Sequence, residues 1–394
     1  MDSFFSWKIR REFVRLGRQL LNLPGEVLRL LYFRRWYDFR TCRKIRRTTG
    51  QISIEDEVGV YLIFPKEGLL QSHVTMIEEM RRAQIAPVIV SNLPLSDDDR
   101  AKLIPIVARI IERPNVGYDF GGYRDGFLDL AAELSNVQRA WMLNDSVWLV
   151  PQPTSWFEDA RILGTDLVAA TSNFAMPRVA PHRYKEIIWR HRTDHKNFHY
   201  ASYAMGFGPR IIRDPAFLRY WRKLHITDDK TRTVRRGEIG LTQWALRHGF
   251  THSATHEVDQ LDKELASFDN SEVDRIAREL VIPDDAALEG ILEGVLSIDH
   301  NTQEGRANRI ALILATVSRR ASAYALPGYA LRRGFQFLKK SPLWLSRGGA
   351  ATMAMLISRI DGPVGNEIRN EARMLLHPEV KNLADVMRDA NKEP

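Results

Sequence analysis

The sequence predicts an α/β protein whose sheet is mostly parallel. Short apolar strands at residues 58–64, 87–90 and 140–143 alternate with stretches of helical spacing. Alternation of strand and helix is typical of βαβ units, in which each helix crosses over between parallel strands. Two flanking helical regions, residues 1–50 and 261–394, are predicted on either side of a core at residues 51–260.

The elements of this core follow from local apolar patterns and turn residues. The predicted elements are, in order, strand 58–64, helix 69–84, strand 87–90, strand 104–111, helix 123–134, strand 140–143, helix 155–163, strand 166–171, strand 203–208, and helices 216–224 and 238–248. Residues 173–200, rich in His, Arg and aromatic residues, are predicted to form an irregular lid or acceptor-side structure. Residues 270–299 are acidic and helical, and residues 306–360 are predicted helices broken at Pro327-Gly328, Pro342 and Gly348-Gly349.

Composition bounds the class of protein. The chain has 394 residues, of which 44% are apolar, a normal fraction for a globular protein. Its single cysteine, Cys42, excludes an internal disulfide and fits a reducing compartment. Charged residues interrupt the first 23 residues, which are therefore not a secretory signal, and no apolar run is long enough for a transmembrane helix. We therefore expect a cytoplasmic protein.

Positive charge is concentrated in two segments. Residues 1–50 hold thirteen Lys or Arg and four Asp or Glu, whereas the whole chain carries +8. Residues 306–360 hold ten Lys or Arg and no acid. An apolar stripe accompanies the first segment: Phe5, Ile9, Phe13, Leu16 and Leu20. This pattern predicts peripheral attachment to the inner face of an anionic membrane. The alternative is packing on the core. No nucleic-acid partner is expected, because no motif of that kind accompanies the charge.

Two polar motifs follow predicted strands. Residues 115–123 read Asn-Val-Gly-Tyr-Asp-Phe-Gly-Gly-Tyr, and residues 144–146 read Asn-Asp-Ser. Carboxyl ends of parallel strands meet at one edge of a sheet, where ligands bind. Gly117, Gly121 and Gly122 can take positive φ and let a ligand approach the backbone. The N–H groups that open the next helix favour a phosphate or a ribose oxygen.

The acids in these motifs have distinct predicted roles. Asp119 can accept a hydrogen bond from ribose or base, and Asn115 can orient the loop. Asp145 is a hard oxygen ligand suited to Mg²⁺ or Mn²⁺ that bridges two phosphates. The structural alternative is a tight turn with Asp145 as a cap. The triplet Asp119-Phe120-Gly121 matches a kinase motif, but a kinase also needs an upstream His-Arg-Asp that is absent.

Further candidates lie near these motifs. Glu238 is predicted to open a helix, where the helix dipole favours a carboxylate. Trp148, two residues past Ser146, is placed to stack on a sugar. Four histidines, His182, His191, His195 and His199, lack zinc-site spacing. Among them, His199 is the one we expect to contact a sugar or pyrophosphate.

Together these motifs resemble the rhamnan synthesis F family, glycosyltransferases of bacterial surface polysaccharides. The family has an Asn-x-Gly-x-Asp-Phe-Gly-x-Tyr loop, an Asn-Asp-Ser strand end, a Ser-Tyr segment and a Glu-x-x-Leu helix. In this chain the four features fall on residues 115–123, residues 144–146, Ser202-Tyr203 and Glu238. The similarity runs from about residue 59 to about residue 250.

The resemblance implies a GT-A-like, Rossmann-type fold. It also implies transfer of a sugar, such as rhamnose or another deoxyhexose, from a nucleotide-sugar to a growing polysaccharide such as the lipopolysaccharide O-antigen. Glu238 would be the general base, and Asp145 the catalytic carboxylate and metal ligand. The implied donor-binding residues are Asn115, Gly117, Asp119, Phe120, Gly121, Gly122, Tyr123, Asn144, Ser146, His199, Ser202 and Tyr203.

One departure from the GT-A pattern leaves two questions open. GT-A enzymes usually carry Asp-x-Asp at the metal site, whereas residues 144–146 hold one carboxylate. Dependence on a divalent cation, Mg²⁺ or Mn²⁺, therefore stays open. So does the alternative of a non-catalytic glycan-binding or assembly protein on a glycosyltransferase fold.

Overall fold

A computed structural model describes residues 35–227, 229–282 and 285–376 of the chain. Within these ranges eleven strands are formed, nine of them in one sheet and two in a small second sheet. The strands are β1 Arg46–Thr49, β2 Glu57–Ile63, β3 Ala86–Ser91, β4 Arg109–Glu112, β5 Arg139–Asn144, β6 Val147–Leu149, β7 Leu167–Asn173, β8 His199–Tyr200, β9 Ala204–Phe207, β10 His252–His256 and β11 Phe337–Lys339.

The main sheet has the order β1-β4-β3-β2-β5-β9-β7-β10, and β8 pairs with β7. Strands β4, β3, β2 and β5 are parallel. Strand β9 runs antiparallel between β5 and β7, and β10 is parallel to β7. The carboxyl ends of β2, β3, β4, β5 and β7 therefore share one edge with the start of β9. The predicted α/β fold class with a mostly parallel sheet is confirmed. The GT-A-like, Rossmann-type assignment stays a prediction.

Helices cover both faces of the sheet and form the region after it. They are α1 Gln71–Arg82, α2 Asp97–Leu103, α3 Tyr118–Asp129, α4 Trp156–Ile162, α5 Pro209–Ile212, α6 Pro215–Lys223, α7 Lys230–Val234, α8 Gly240–Arg247, α9 Leu261–Ser267, α10 Asn270–Arg278, α11 Ala286–Leu296, α12 Gln303–Arg319, α13 Ser322–Ala325, α14 Pro327–Arg332, α15 Pro342–Leu345, α16 Arg347–Ser358 and α17 Gly362–Leu375. No helix in the described ranges is both long enough and apolar enough to cross a membrane.

The central strand β2 shows why the sheet is buried on both faces. Alternate side chains of a strand point to opposite faces. Accordingly, Val60 packs in the cluster that contains Phe127 of α3, whereas Tyr61 packs in the cluster that contains Met80 of α1. A strand covered on both faces has no polar side, which explains the near-continuous apolar run that predicted it.

Two predicted features of the secondary structure are wrong. The strand predicted over residues 104–111 begins only at Arg109, because a 3₁₀ turn at Ile104–Ile106, directly after α2, occupies the start of that run. Pro105 lies in the first turn of the 3₁₀ segment, where its missing N–H is tolerated. The break predicted at Gly348-Gly349 is also wrong, since both glycines lie inside α16.

The basic stretch 306–360 is part of the folded C-terminal region. Arg309 is 1% exposed, and its Nε lies 2.6 Å from Asp274 Oδ1. Arg332 and Arg359 both pair with Glu279. Acids of the preceding segment therefore neutralise several of the cations in this stretch. The apolar stripe predicted between residues 5 and 20 lies outside the described residues.

The small second sheet joins this C-terminal region to the core. Strand β11 pairs antiparallel with β6, and Lys339 lies opposite Val147. Strand β6 follows the Asn-Asp-Ser motif directly, so residues of the C-terminal region reach the end of β5. The division at residues 50 and 260 stays a prediction. Strand β1 before that core and strand β11 after it both pair with its strands.

Candidate functional site

The first polar motif forms the entry to helix α3. Gly117 precedes the helix in the left-handed region, with φ of 79°. A Cβ at this position would also lie 2.6 Å from Ile226 Cγ2, so both the conformation and the space require glycine. Helix α3 begins at Tyr118, five residues before the predicted start. Asp119 therefore lies in the first helical turn.

Gly121 and Gly122 do not take the positive φ that was predicted for them; both are helical. Their role is close approach. A Cβ at Gly121 would lie 2.1 Å from Val116 O, and a Cβ at Gly122 would lie 2.3 Å from Leu62 Cδ1. The two glycines thus allow the start of α3 to pack directly on its own loop and on the end of β2.

A buried arginine that the sequence analysis missed holds this loop. The Arg113 side chain is fully buried directly after β4, and its Nε lies 2.6 Å from Asp125 Oδ2. Its Nη2 donates to Val116 O at 2.7 Å, and its Nη1 donates to Asn92 Oδ1 at 2.5 Å. One guanidinium therefore ties together the end of β3, the loop and helix α3. The signal in the sequence was a charged residue at the end of an apolar strand.

Asn144 connects the two predicted motifs. Its Nδ2 donates to Asp119 Oδ2 at 3.1 Å, and its Oδ1 accepts from the backbone N–H of Ser146, also at 3.1 Å. The amide group is buried at the end of β5. The first turn of α3 and the end of β5 are thus in direct contact. The expectation that the two motifs follow neighbouring strands is wrong, because β3 and β2 lie between β4 and β5 in the sheet.

Asp145 is held by the end of β2 and by helix α1. Its Oδ2 accepts from Phe64 N at 2.6 Å and lies 3.4 Å from His73 Nε2. Burial alone would raise the pKa of Asp145. The hydrogen bond with His73, the charges of His73 and Lys340, and the Phe64 N–H together lower that pKa below its ordinary value. Asp145 is therefore an anion, and both of these contacts fall on Oδ2.

Lys339, which the sequence analysis also missed, places a cation beside this motif. Its Nζ donates to Ser146 Oγ at 2.7 Å and lies 4.8 Å from the centre of the Tyr203 ring. Burial lowers the pKa of Lys339, while Glu238, Asp119 and Asp145 oppose that shift. The ammonium group thus lies within the field of three carboxylates.

Glu238 is held by the loop between β8 and β9. Ser202 N and Ser202 Oγ both donate to Glu238 Oε1 at 2.9 Å. The other carboxylate oxygen, Oε2, lies 3.8 Å from His199 Nε2. Ser202 occupies the loop before β9, and the antiparallel direction of β9 is what brings this loop to the edge where β5 ends.

The prediction that Glu238 opens a helix is wrong. Glu238 lies in a π-helical turn, Arg235–Ile239, between α7 and α8. The helix dipole therefore does not account for its position. π-turns are rare and frequent at functional sites. Gly237 lies against Phe120, where a Cβ would approach the ring to 2.2 Å, so this turn packs directly on α3.

The charges of these residues act on one another. The pKa of Asp119 is raised from 3.8 to about 6, first by burial and then by the negative charge of Asp145. Glu238 adds to this rise, whereas Lys339 and Lys230 oppose it. Part of the Asp119 residue remains accessible to solvent, although many protein atoms surround its carboxylate. Five charged groups from separate segments therefore lie close enough to act on one another at the carboxyl edge of the sheet: Asp119, Asp145, Lys230, Glu238 and Lys339. We call the space beside them the recess.

Comparison with known proteins agrees with this geometry. Residues 87–281 match the family model of rhamnan synthesis protein F (RgpF). Over these residues the chain belongs to the rhamnan synthesis protein F family. The predicted resemblance is thereby confirmed, and the matched region contains the loop, the Asn-Asp-Ser motif, Ser202 and Glu238.

A curated relative and two solved structures add context. The uncharacterized protein y4gN of Sinorhizobium fredii is 31% identical over 275 residues, which cover 68% of this chain and 65% of the relative. The match thus spans less than two thirds of the relative's length. Core-mannan synthase A (CmsA/Ktr4) of Aspergillus fumigatus, in its Mn/GDP form, is 10% identical over 45% of this chain and 66% of its own, with a TM-score of 0.26. The mannosyltransferase Ktr4p of S. cerevisiae is 11% identical over 51% and 70%, with a TM-score of 0.25. The two structural likenesses are slight.

Several side chains that were predicted to contact the donor sugar or nucleotide are buried in the protein. Phe120 and Tyr123 are buried, and the Tyr123 hydroxyl donates to Ser202 O at 2.9 Å. Their side chains pack the walls of the recess rather than meet a ligand. Trp148 is also buried, with its Nε1 donating to Glu371 Oε2 at 2.9 Å, so the predicted stacking on a sugar is wrong. Tyr203 is buried beneath Lys339.

Asn115 is a predicted donor contact that lines a separate cavity. It is exposed and lines a cavity of about 660 Å³ together with Asn92 and Arg113. This cavity opens at the carboxyl ends of β3 and β4, along the same edge of the sheet. It is large enough for a nucleoside.

The described residues offer few ligands for a divalent cation. Among the described residues, no group of three or more His, Cys, Asp or Glu side chains could hold a metal ion. Mg²⁺ commonly uses one or two carboxylates and takes its other oxygen ligands from substrate phosphates and water. Asp145 fits that smaller role through Oδ1, the oxygen that His73 and Phe64 leave uncontacted.

Proposed function

We propose that this protein transfers a sugar from a nucleotide-sugar donor to a growing cell-surface polysaccharide. The observation that carries the proposal is the convergence of Asp119, Asp145, Glu238 and Lys339 on one recess. Membership of the rhamnan synthesis protein F family supports a polysaccharide-related glycosyltransferase. Rhamnose or another deoxyhexose as the donor sugar is part of the proposal.

The donor diphosphate would lie between the start of α3 and Lys339. The N–H groups of the first turn of α3 favour an anion, and the Lys339 ammonium adds a full positive charge. These groups stabilise the negative charge that develops on the leaving diphosphate. Asp119 would accept from ribose, and the cavity beside Asn115 would hold the base. A divalent cation, if bound at Asp145, would supply further Lewis-acid stabilisation.

Glu238 would act as the general base towards the acceptor. Ser202 occupies Oε1 with two hydrogen bonds, which fixes the carboxylate and leaves Oε2 for the acceptor hydroxyl. As that hydroxyl attacks the anomeric carbon, its proton passes to Oε2. A carbon–oxygen bond to the acceptor forms, and the bond to the diphosphate breaks with its electron pair on the leaving oxygen.

A glycan-binding or assembly role without transfer is the second candidate. One observation favours it: Asp145 already has partners in His73 and Phe64 N, which is a sufficient structural use for the carboxylate. In that case a nucleotide-sugar would bind without being consumed. Turnover therefore separates the two candidates.

The proposal includes attachment to an anionic membrane through residues 1–50. These residues hold thirteen cations and four acids, and this net positive charge is the supporting observation. Each cation near such a surface contributes on the order of 1 kcal/mol. The full-length protein should sediment with phosphatidylglycerol vesicles at low salt, and a variant without residues 1–50 should not. Equal recovery of both proteins in the supernatant would contradict this part.

The central experiment is a nucleotide-sugar screen with and without Mn²⁺. Ligands that bind the folded state raise its stability, so a thermal shift identifies the donor. Release of the nucleoside diphosphate in the presence of acceptor glycan then measures transfer. Asp145→Ala should abolish transfer while circular dichroism stays native. Asp56→Asn, an exposed acid outside the recess, is the matched control and should leave the rate unchanged. An Asp145→Ala protein with full activity would overturn the proposed role of Asp145.

A further inference from the structure

A second cavity lies along the same edge of the sheet, beyond the end of β7. It has a volume of about 370 Å³, and its lining includes Phe174, Arg178, Asp285, Arg319 and Arg320. Phe174 follows β7 directly, and the two later arginines end helix α12. The cavity therefore lies between the core sheet and the C-terminal helices.

This arginine cavity carries an excess of positive charge. Among the described residues that line it, Asp285 is the one carboxylate, and its Oδ2 lies 3.1 Å from Arg319 Nη2. Arg178 donates to neutral acceptors, Ser318 O and Asn173 Oδ1. Burial lowers the pKa of Arg178 to about 10, and repulsion from Arg319 and Arg320 adds to the shift. Three guanidinium groups thus face one compensating acid.

A continuous row of side chains joins this cavity to Glu238. The Arg178 guanidinium lies 3.5 Å from the centre of the Phe174 ring. The Phe174 ring lies 5.9 Å from the His199 ring, and His199 Nε2 lies 3.8 Å from Glu238 Oε2. Phe174 has a φ of 60°, a conformation that is uncommon for a non-glycine residue and persists only where the surrounding structure holds it.

We propose that the arginine cavity binds a phosphate group of the acceptor while the acceptor hydroxyl lies at Glu238. Guanidinium groups bind phosphate oxygens in pairs, and Arg is preferred over Lys where this geometry matters. The cavity lies on the His199 side of Glu238, whereas Lys339 and the start of α3 serve the donor. This inference rests on the proposed function, because it assigns the acceptor to the side of Glu238 away from the donor diphosphate.

An acceptor phosphate can come from two sources with the same chemistry. A lipid-linked glycan carries it as a diphosphate headgroup, and a free sugar phosphate carries it as a monoester. Geranyl diphosphate and glucose 1-phosphate represent these sources, and methyl glucoside is the neutral control. Tighter binding of geranyl diphosphate would identify a lipid headgroup, whereas equal affinities would indicate recognition of phosphate alone. Both results support an acceptor-phosphate site.

Binding of these probes to the full chain, measured by calorimetry, tests the site. Arg178→Gln/Arg320→Gln should weaken both phosphate probes at least tenfold. Arg320→Gln alone should weaken them less, and it decides the outcome if the double variant does not fold. Arg222→Gln, an exposed arginine on α6, is the matched control and should bind like the wild type. The proposal is overturned if the folded Arg variants bind both probes unchanged, or if methyl glucoside binds as well as glucose 1-phosphate.

The same titrations keep this inference separate from the proposed function. Anions also have a site near Lys339, so Lys339→Gln is measured in parallel. A loss of phosphate binding in Lys339→Gln but not in the Arg variants would place the phosphate in the donor recess and overturn the inference. Nucleotide-sugar binding should be unchanged in the Arg variants. If the wild type binds the phosphate probes but no nucleotide-sugar, the proposed function fails while the anion site stands.

Discussion

Lys339 Nζ lies 2.7 Å from Ser146 Oγ, although 193 residues separate the two in the sequence. The pairing of β11 with β6 is what brings them together. A GT-A motif usually offers two carboxylates to a metal ion, whereas this protein offers one carboxylate and a neighbouring ammonium group. A cation supplied by the protein itself can offset part of the diphosphate charge. We therefore expect weaker dependence on a divalent cation than two carboxylates would give.

Replacing Lys339 tests this role. Lys339→Gln removes a charge-assisted hydrogen bond, which is worth about 1.5–3 kcal/mol, so donor affinity should fall by about 10- to 100-fold. Added Mn²⁺ should restore part of the affinity, because it supplies the missing charge. Calorimetry with the nucleotide-sugar measures both effects.

The control for Lys339 is Lys102→Gln, an exposed lysine on α2. It has the same change of charge outside the recess and should leave donor affinity unchanged. Equal affinities for wild type and Lys339→Gln would show that Lys339 supports β11 without meeting the donor.

Glu238→Gln tests the proposed base. The amide keeps the shape of the side chain and can still accept from Ser202, but it cannot take a proton. The value of kcat should fall by at least about a hundredfold with little change in donor affinity. Glu55→Gln, an exposed residue, serves as the control. An unchanged kcat would move the base to another acid or leave the reaction without one.

Asp119 predicts a specific dependence of stability on pH. Its pKa is about 6 in the folded protein against an ordinary value of 3.8. Between these values the folded chain binds more protons than the unfolded chain, so the free energy of unfolding falls as pH rises through the window. Asp119→Asn removes this titration and resembles the protonated form.

The measurement is the melting temperature of wild type and Asp119→Asn across this range. The variant should melt higher than the wild type at about pH 7, and the difference should disappear towards about pH 4. Asp56→Asn should show no such trend. A constant difference at every pH would mean that Asp119 is not protonated in this window.

The close packing at the start of α3 predicts that two Gly→Ala substitutions have opposite effects on the free energy of unfolding. Gly121→Ala places a methyl group 2.1 Å from Val116 O, and such overpacking should lower the free energy of unfolding by about 1–3 kcal/mol. Gly290→Ala, in an open position of α11, should raise it by about 0.5–1 kcal/mol. Urea unfolding measures both, and a destabilised Gly290→Ala with an unaffected Gly121→Ala would refute this account.

Local pattern was sufficient for most of the sheet and for the contact between the two motifs. Strand β5 and Asn144 were predictable because a buried parallel strand is a short apolar run, and its polar end meets the ligand edge. The start of α3 was not, since Gly121 and Gly122 read as loop residues although they serve close packing. Ser202 came from resemblance alone, and Glu238 from resemblance together with a predicted helix start that the structure does not show. The contact between Ser202 and Glu238 depends on the antiparallel β9 and on a π-turn. Neither feature produces a periodic pattern of apolar residues in the sequence.

Lys339 and the arginine cavity show a different limit. The position of Lys339 depends on the pairing of β11 with β6, and the arginine cavity depends on the packing of α12 near the end of β7. No local pattern predicts such a contact. The ten cations of residues 306–360 looked alike in the sequence. Yet Arg309 is a buried partner of Asp274, whereas Lys339 faces the recess. Only the tertiary structure separates these uses of the same charge.

The pairing of β11 with β6 also has a consequence for the order of folding. Contacts between residues far apart in sequence form late, because closing a long loop costs entropy before the contact stabilises it. On a ribosome, β5 and β6 emerge well before Lys339 has been synthesised. The carboxylates of Asp119, Asp145 and Glu238 would therefore gather while the lysine is still missing, and the nascent sheet carries an unpaired β6 edge in the meantime. The donor recess becomes complete only when the chain through Lys339 has left the ribosome.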